Sequence, residues 1–165
     1  MVNKTNKLEG WIKQVFSSAD YQKLKKQYQN MHLFLIFIVL NNNLQAEKIQ
    51  LNFLVPETRT IINAAINNGN ITFTQNEAKE EDKGKRFDSI EQELSNIKFD
   101  TLLEIINHEV EKHSAEIERV IMLILKQERL ICDVTCVTKS FKLLKIKIDC
   151  TNYKAESSIR NLFGT

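Results

Sequence analysis

Residues 101–127 read TLLEIINHEVEKHSAEIERVIMLILKQ, and how this stretch folds decides the class of the whole chain. Leu103, Ile106, Val110, His113, Ile117, Val120 and Ile124 follow a 3-4-3-4-3-4 spacing, the a/d seam of a coiled coil over three heptads. Thr101 followed by Glu104 matches a capping box, in which two orphan backbone N–H groups are satisfied reciprocally. The spacing therefore predicts one long helix over 101–127. Ile105, Ile121 and Leu125 widen its apolar stripe, which suits a globular core as well as a second helix. If the seam pairs with another copy, His113 makes the pairing sensitive to pH, because a charged imidazole is costly among apolar side chains.

Downstream of this stretch, strands are expected at 129–138 and 142–150. The second alternates Leu144, Ile146, Ile148 and Cys150 against Lys145, Lys147 and Asp149. A final helix is expected at 152–163. Upstream, Ser89 with Gln92 suggests a short helix at 89–97. The charged residues 75–87 read as a linker or exposed loop, because they have no apolar face to bury.

The first thirty residues read as helix, with Leu8, Trp11, Ile12, Val15, Phe16 and Ala19 on one stripe and a restart near Ser17. Residues 32–40, HLFLIFIVL, are apolar at nearly every position and rich in β-branched and aromatic side chains. They predict a strand buried on both faces. A second strand alternates over 48–55 until Pro56, which cannot donate to a ladder. A short helix is expected through Ile61, Ile62, Ala65 and Ile66, ending at Asn68-Gly69, with a brief strand at 71–74.

Each half thus reads as helix, hairpin, helix: 1–74, then the 75–87 linker, then 88–165, sharing one core. The fold class expected is α+β, pseudo-duplicated as an internal repeat, with an antiparallel sheet packed against helices and a coiled-coil-like helix in the second half.

The chain has 165 residues, 42% hydrophobic and 27% charged, with a net charge of +2. That composition is globular rather than disordered. Residues 1–76 carry 8 basic and 4 acidic side chains, 77–118 carry 6 and 13, and 119–165 carry 9 and 4, so two basic ends flank an acidic middle. Cys132, Cys136 and Cys150 are an odd number within one stretch, which favours packing thiols in a reducing, cytoplasmic setting over a disulfide framework. The apolar run at 31–40 is about half the roughly 20 residues a membrane-spanning helix needs.

No phosphate-binding loop, dinucleotide fingerprint or nucleophile elbow is present, and the four glycines are isolated. His108 and His113 are five apart, whereas a zincin helix needs four to align both on one face. Neither a catalytic residue, a metal nor a cofactor is implied. Lys139, Lys142, Lys145, Lys147, Lys154 and Arg160 form a basic C-terminal region able to track phosphates. The helix–strands–helix order there is similar to a double-stranded-RNA-binding domain, but the glycine- and lysine-rich start of that family's last helix is missing. The expected function is a non-catalytic protein–protein interaction module: an adaptor, chaperone-like protein or assembly subunit, oligomerising with itself or a partner. Nucleic-acid binding through the basic hairpin is the alternative.

Overall fold

The computed structural model of the chain describes residues 4–79 and 87–163. Two helices, α1 (Lys4–Ser17) and α2 (Ala19–Gln27), lead into four consecutive strands: β1 (His32–Leu40), β2 (Ala46–Val55), β3 (Thr60–Asn67) and β4 (Asn70–Glu77). A 3-10 turn (Leu94–Asn96) and helix α3 (Phe99–Lys112) precede four more: β5 (Ile117–Lys126), β6 (Leu130–Thr138), β7 (Lys142–Asp149) and β8 (Ala155–Asn161). The eight strands of the described residues join one antiparallel sheet in the order β4-β3-β2-β1-β5-β6-β7-β8. Each half is a meander, and the halves meet where β1 pairs with β5, from Leu35 opposite Leu125 to Leu40 opposite Val120.

The helices cover one face of this sheet. Leu8, Ile12 and Val15 of α1 and Leu102, Leu103, Ile106 and Val110 of α3 are buried against Ile36, Ile38 and Leu40 of β1, Leu51 and Phe53 of β2, Val120, Met122 and Ile124 of β5, and Leu144 and Ile146 of β7. Phe16, Tyr21 and Phe53 pack as an aromatic cluster, with centroids 4.9, 5.9 and 5.5 Å apart, where the α1–α2 corner sits on β2. Ser18 caps α2, its Oγ accepting from Tyr21 N at 3.2 Å, one residue later than the restart expected at Ser17.

This architecture corrects the expected fold class. Among the described residues there is no long helix. α3 ends at Lys112, Ser114 takes a positive φ of 49°, and the chain re-enters as β5. Ile117, Val120 and Ile124 therefore lie on a strand, where Val120, Met122 and Ile124 alternate inward at a period of two. The β-branched run Val120-Ile121 and the apolar residues after it suit a pleated surface, and that preference outweighs a helical spacing that fits by coincidence.

The helix expected through 61–66 is β3. Asn68 and Gly69, with φ of 51° and 82°, form the tight turn of the β3–β4 hairpin rather than a helix stop. The helix expected at 152–163 is β8, paired along β7. Among the described residues of 87–98 a 3-10 turn replaces the expected helix, and Ser89 Oγ accepts from Glu91 N at 3.3 Å instead of opening one. Among the described residues helix–hairpin–helix units are thus absent, and with them the internal repeat, the coiled-coil-like helix and the similarity to an RNA-binding domain. Of the linker expected at 75–87, Gln75–Glu77 belong to β4 and 80–86 lie outside the described residues.

Val120 is fully buried beneath the helix layer, opposite Leu40 and Cys136. Val120→Asp places an unpaired carboxylate there, at a cost of several kcal/mol against a total stability of about 5–15. The variant should lose its cooperative thermal transition by circular dichroism. A folded variant would contradict the assignment of Val120 to the core.

Candidate functional site

The other face of the sheet is open among the described residues, and its side chains follow from the strand registers. At its centre Leu35, Phe37 and Val39 of β1 stand opposite Leu125, Leu123 and Ile121 of β5. These six apolar side chains are half-buried, and none belongs to the core under the helices. Strand β1 is apolar on both faces, as its sequence suggests, yet only one face is covered.

Beside this band, on β2, β3 and β4, the same face carries Lys48, Gln50 and Asn52, then Asn63, Ala65 and Asn67, then Thr72 and Thr74. Gln50 Nε2 donates to Asn52 Oδ1 at 2.8 Å. On the far side, Asp133 and Thr135 of β6 face Lys147 and Lys145 of β7, which face Glu156 and Ser158 of β8. A half-open depression of about 540 Å³ runs over this part, with Ile121 and Leu123 as one wall and Lys145, Lys147 and Glu156 as the other. The open face therefore has an apolar centre, an amide and hydroxyl side that also carries Lys48, and a side where both charges alternate.

The expected interaction seam is dispersed. Leu103, Ile106 and Val110 are helix-side core, as are Ile117, Val120 and Ile124 on β5. His113 caps α3, and its Nε2 lies 2.9 Å from Ser157 Oγ, which donates to Glu109 Oε2 at 2.5 Å. Lys112 Nζ stands 3.7 Å from the same carboxylate oxygen. Glu109 is buried, and this cluster fastens α3 to β8. In a nucleophilic triad the histidine bridges serine and carboxylate. Here the serine bridges, so its proton goes to glutamate and the imidazole is not poised to take it. Among the described residues no group of His, Cys, Asp and Glu is arranged to hold a metal.

Of the six candidate phosphate contacts, Lys145, Lys147 and Arg160 share the open face. Lys145 Nζ donates to Thr135 Oγ1 at 2.7 Å, and Lys147 stands between Asp133 and Glu156 on its neighbouring strands. Lys139 and Lys142 flank the β6–β7 turn, with Lys139 4.0 Å from Glu116, while Lys154 lies at the opposite end of the sheet. The six do not form one patch. The open face is hidden in the sequence because the segments of β3, β5 and β8 fit a helical spacing, although the alternation of Ile62, Ala64 and Ile66 identifies β3.

No protein-family model matches the chain, and no curated protein matches it in sequence. Among solved structures, a Clostridium difficile 630 protein described as a "putative lipoprotein" matches with a TM-score of 0.55 at 10% identity, over 86% of this chain and 90% of that one. At that identity the likeness concerns the fold alone. Among the described residues no helix is long and apolar enough to cross a membrane.

The three cysteines are buried and unpaired. Burial pushes the Cys136 thiol up to about 12 and that of Cys150 to about 11, with Asp149 adding to the latter, and raises Cys132 as well. Tyr21 rises to about 12, first by burial and then through Glu91. Unfolded thiols titrate near about 8.5, so the folded chain keeps protons that the unfolded chain releases. The resulting stability is fully present below that pH and is lost as pH climbs toward 11–12. The urea midpoint should fall between pH 7.5 and pH 10.5, and an unchanged midpoint would contradict the burial of these groups.

Proposed function

We propose that the chain is a non-catalytic protein–protein interaction module that docks a partner on the open face of its sheet. The observation that carries this reading is the uncovered band of Leu35, Phe37, Val39, Ile121, Leu123 and Leu125 across β1 and β5. A strand apolar on both faces belongs between two layers, and here the second layer is to be supplied by the partner. Seven interstrand spacings of about 4.8 Å and eight-residue strands rising about 3.3 Å per residue give a face on the order of 900 Å². Each side of a standard interface contributes about 800 Å².

The charge pattern narrows the partner. With Lys48 alone charged among the β2 and β3 positions named above and the β6–β8 charges offsetting one another, the face has little net field to attract phosphates. It suits a protein surface with an apolar centre and a neutral, hydrogen-bonding rim. Buried unpaired thiols are compatible with a reducing, cytoplasmic setting.

A photo-crosslinking side chain at Phe37 tests the reading. It should yield one adduct of defined mass that persists after nuclease treatment. Excess unlabelled protein should compete it away, and excess Leu123→Glu protein should not. The same label at Lys23, exposed on α2, should give no such adduct. An adduct lost to nuclease would favour the nucleic-acid alternative. Equal crosslinking from Lys23, or competition by the Leu123→Glu protein, would overturn the open-face reading.

A further inference from the structure

Strand β8 closes one end of the sheet, and its outer edge carries no paired strand among the described residues. Its backbone parity follows from one bond. Leu162 N donates to Phe141 O at 2.8 Å, in the register that pairs β7 with β8. Alternation along an antiparallel strand then turns the even-numbered residues of β8 inward, toward β7. The odd ones, Ala155, Ser157, Ile159 and Asn161, present their N–H and C=O groups outward. A row of outward backbone groups is a template for another strand.

The apolar exposure of the molecule collects at the same place. The exposed large hydrophobic side chains among the described residues are Phe141 (64% exposed), Ile159 (37%), Leu162 (44%) and Phe163 (80%). Ile159 lies on β8, Leu162 and Phe163 follow it directly, and the Phe141 ring stands 5.9 Å from that of Phe163. At the other end of the sheet, Ile71 and Phe73 of β4 are packed against the core.

We propose that β8 pairs edge to edge with β8 of a second copy, antiparallel and centred on Ser158. The sequence Glu156-Ser157-Ser158-Ile159-Arg160 is self-complementary about that centre. Glu156 of each copy faces Arg160 of the other on the open side of the sheet, and Ser157 faces Ile159 on the helix side. The parity agrees, because Ser157 and Ile159 both turn their backbone groups outward and form the hydrogen-bonded pair. Opposite charges placed directly across an antiparallel pair are stabilising, and like charges there are destabilising. The same register brings Leu162 and Phe163 beside the Tyr153–Lys154 turn of the second copy, which lessens their exposure. The result is a sixteen-stranded sheet with both helix layers on one side. Both open faces remain available, so this pairing stands apart from the docking of a partner there.

Sedimentation equilibrium on the purified chain reads the pairing. The wild-type chain should dimerise. Arg160→Glu and Glu156→Arg each set like charges opposite one another twice per dimer, and each should weaken dimerisation by about tenfold or more. Mixed together, these two variants should form a heterodimer, because every opposed pair becomes complementary again. Ile159→Pro removes an outward N–H while leaving the inward ladder to β7 intact, and should give a folded monomer by circular dichroism. Leu123→Glu, on the open face, should dimerise normally. A monomeric wild-type chain, charge variants that dimerise as tightly as the wild type, or a mixture no tighter than either variant alone would overturn the proposal.

Discussion

The pairing of β1 with β5 holds the molecule together. Among the described residues every other strand pairing joins neighbours in sequence, and this one alone spans the two halves, from Leu35 opposite Leu125 to Leu40 opposite Val120. It also aligns both halves' helix-facing side chains, so that α1, α2 and α3 bury one continuous core. Because side chains alternate along a strand, a register slip of one residue would turn the apolar residues of an entire half outward. The same alternation sets Leu35, Phe37 and Val39 against Leu125, Leu123 and Ile121 on the far face. Fold and candidate surface thus come from one ladder: its inward side makes the core and its outward side the apolar band.

Most of the elements that surround this ladder were legible. The strand expected at 32–40 runs over His32–Leu40, and the alternation of 142–150 matches β7 closely. The N-terminal stripe of Leu8, Ile12 and Val15 does face the core. The failures share a physical cause. Short apolar segments fit periods of 3.6 and of 2 almost equally well, and arbitration falls to turns that are easily misassigned. Asn68-Gly69 is a strong hairpin signal once strands flank it, and a helix stop if a helix precedes it. In 101–127 the seam is helical through Val110 and becomes strand after Ser114, whose positive φ has no glycine to announce it. Strand β8 carries few apolar side chains and owes its place to β7.

The candidate surface was less legible than the fold, for a related reason. Leu103, Val110 and Ile117 have the spacing of a seam yet lie in the core, whereas Phe37 and Leu123 form a surface only once a sheet covered on one side exists. A surface of this kind is a property of pairing, and pairing between residues some ninety positions apart leaves little trace in local pattern. The lysines illustrate the converse. Lys145 and Lys147 look like a basic patch in sequence, and their neighbours across the sheet, Thr135, Asp133 and Glu156, change what they offer.

The central claim, that residues 117–126 form the strand joining both halves of one sheet, is open to direct measurement by nuclear Overhauser contacts in the labelled chain. The account predicts Hα–Hα contacts between alternate opposed residues of the Leu35–Leu40 and Val120–Leu125 segments, because facing pairs that do not exchange hydrogen bonds bring their Cα atoms to about 4.5 Å. Strong successive amide–amide contacts through 117–126, with Hα-to-amide contacts three residues apart and none to β1, would be those of a continuing helix and would contradict it.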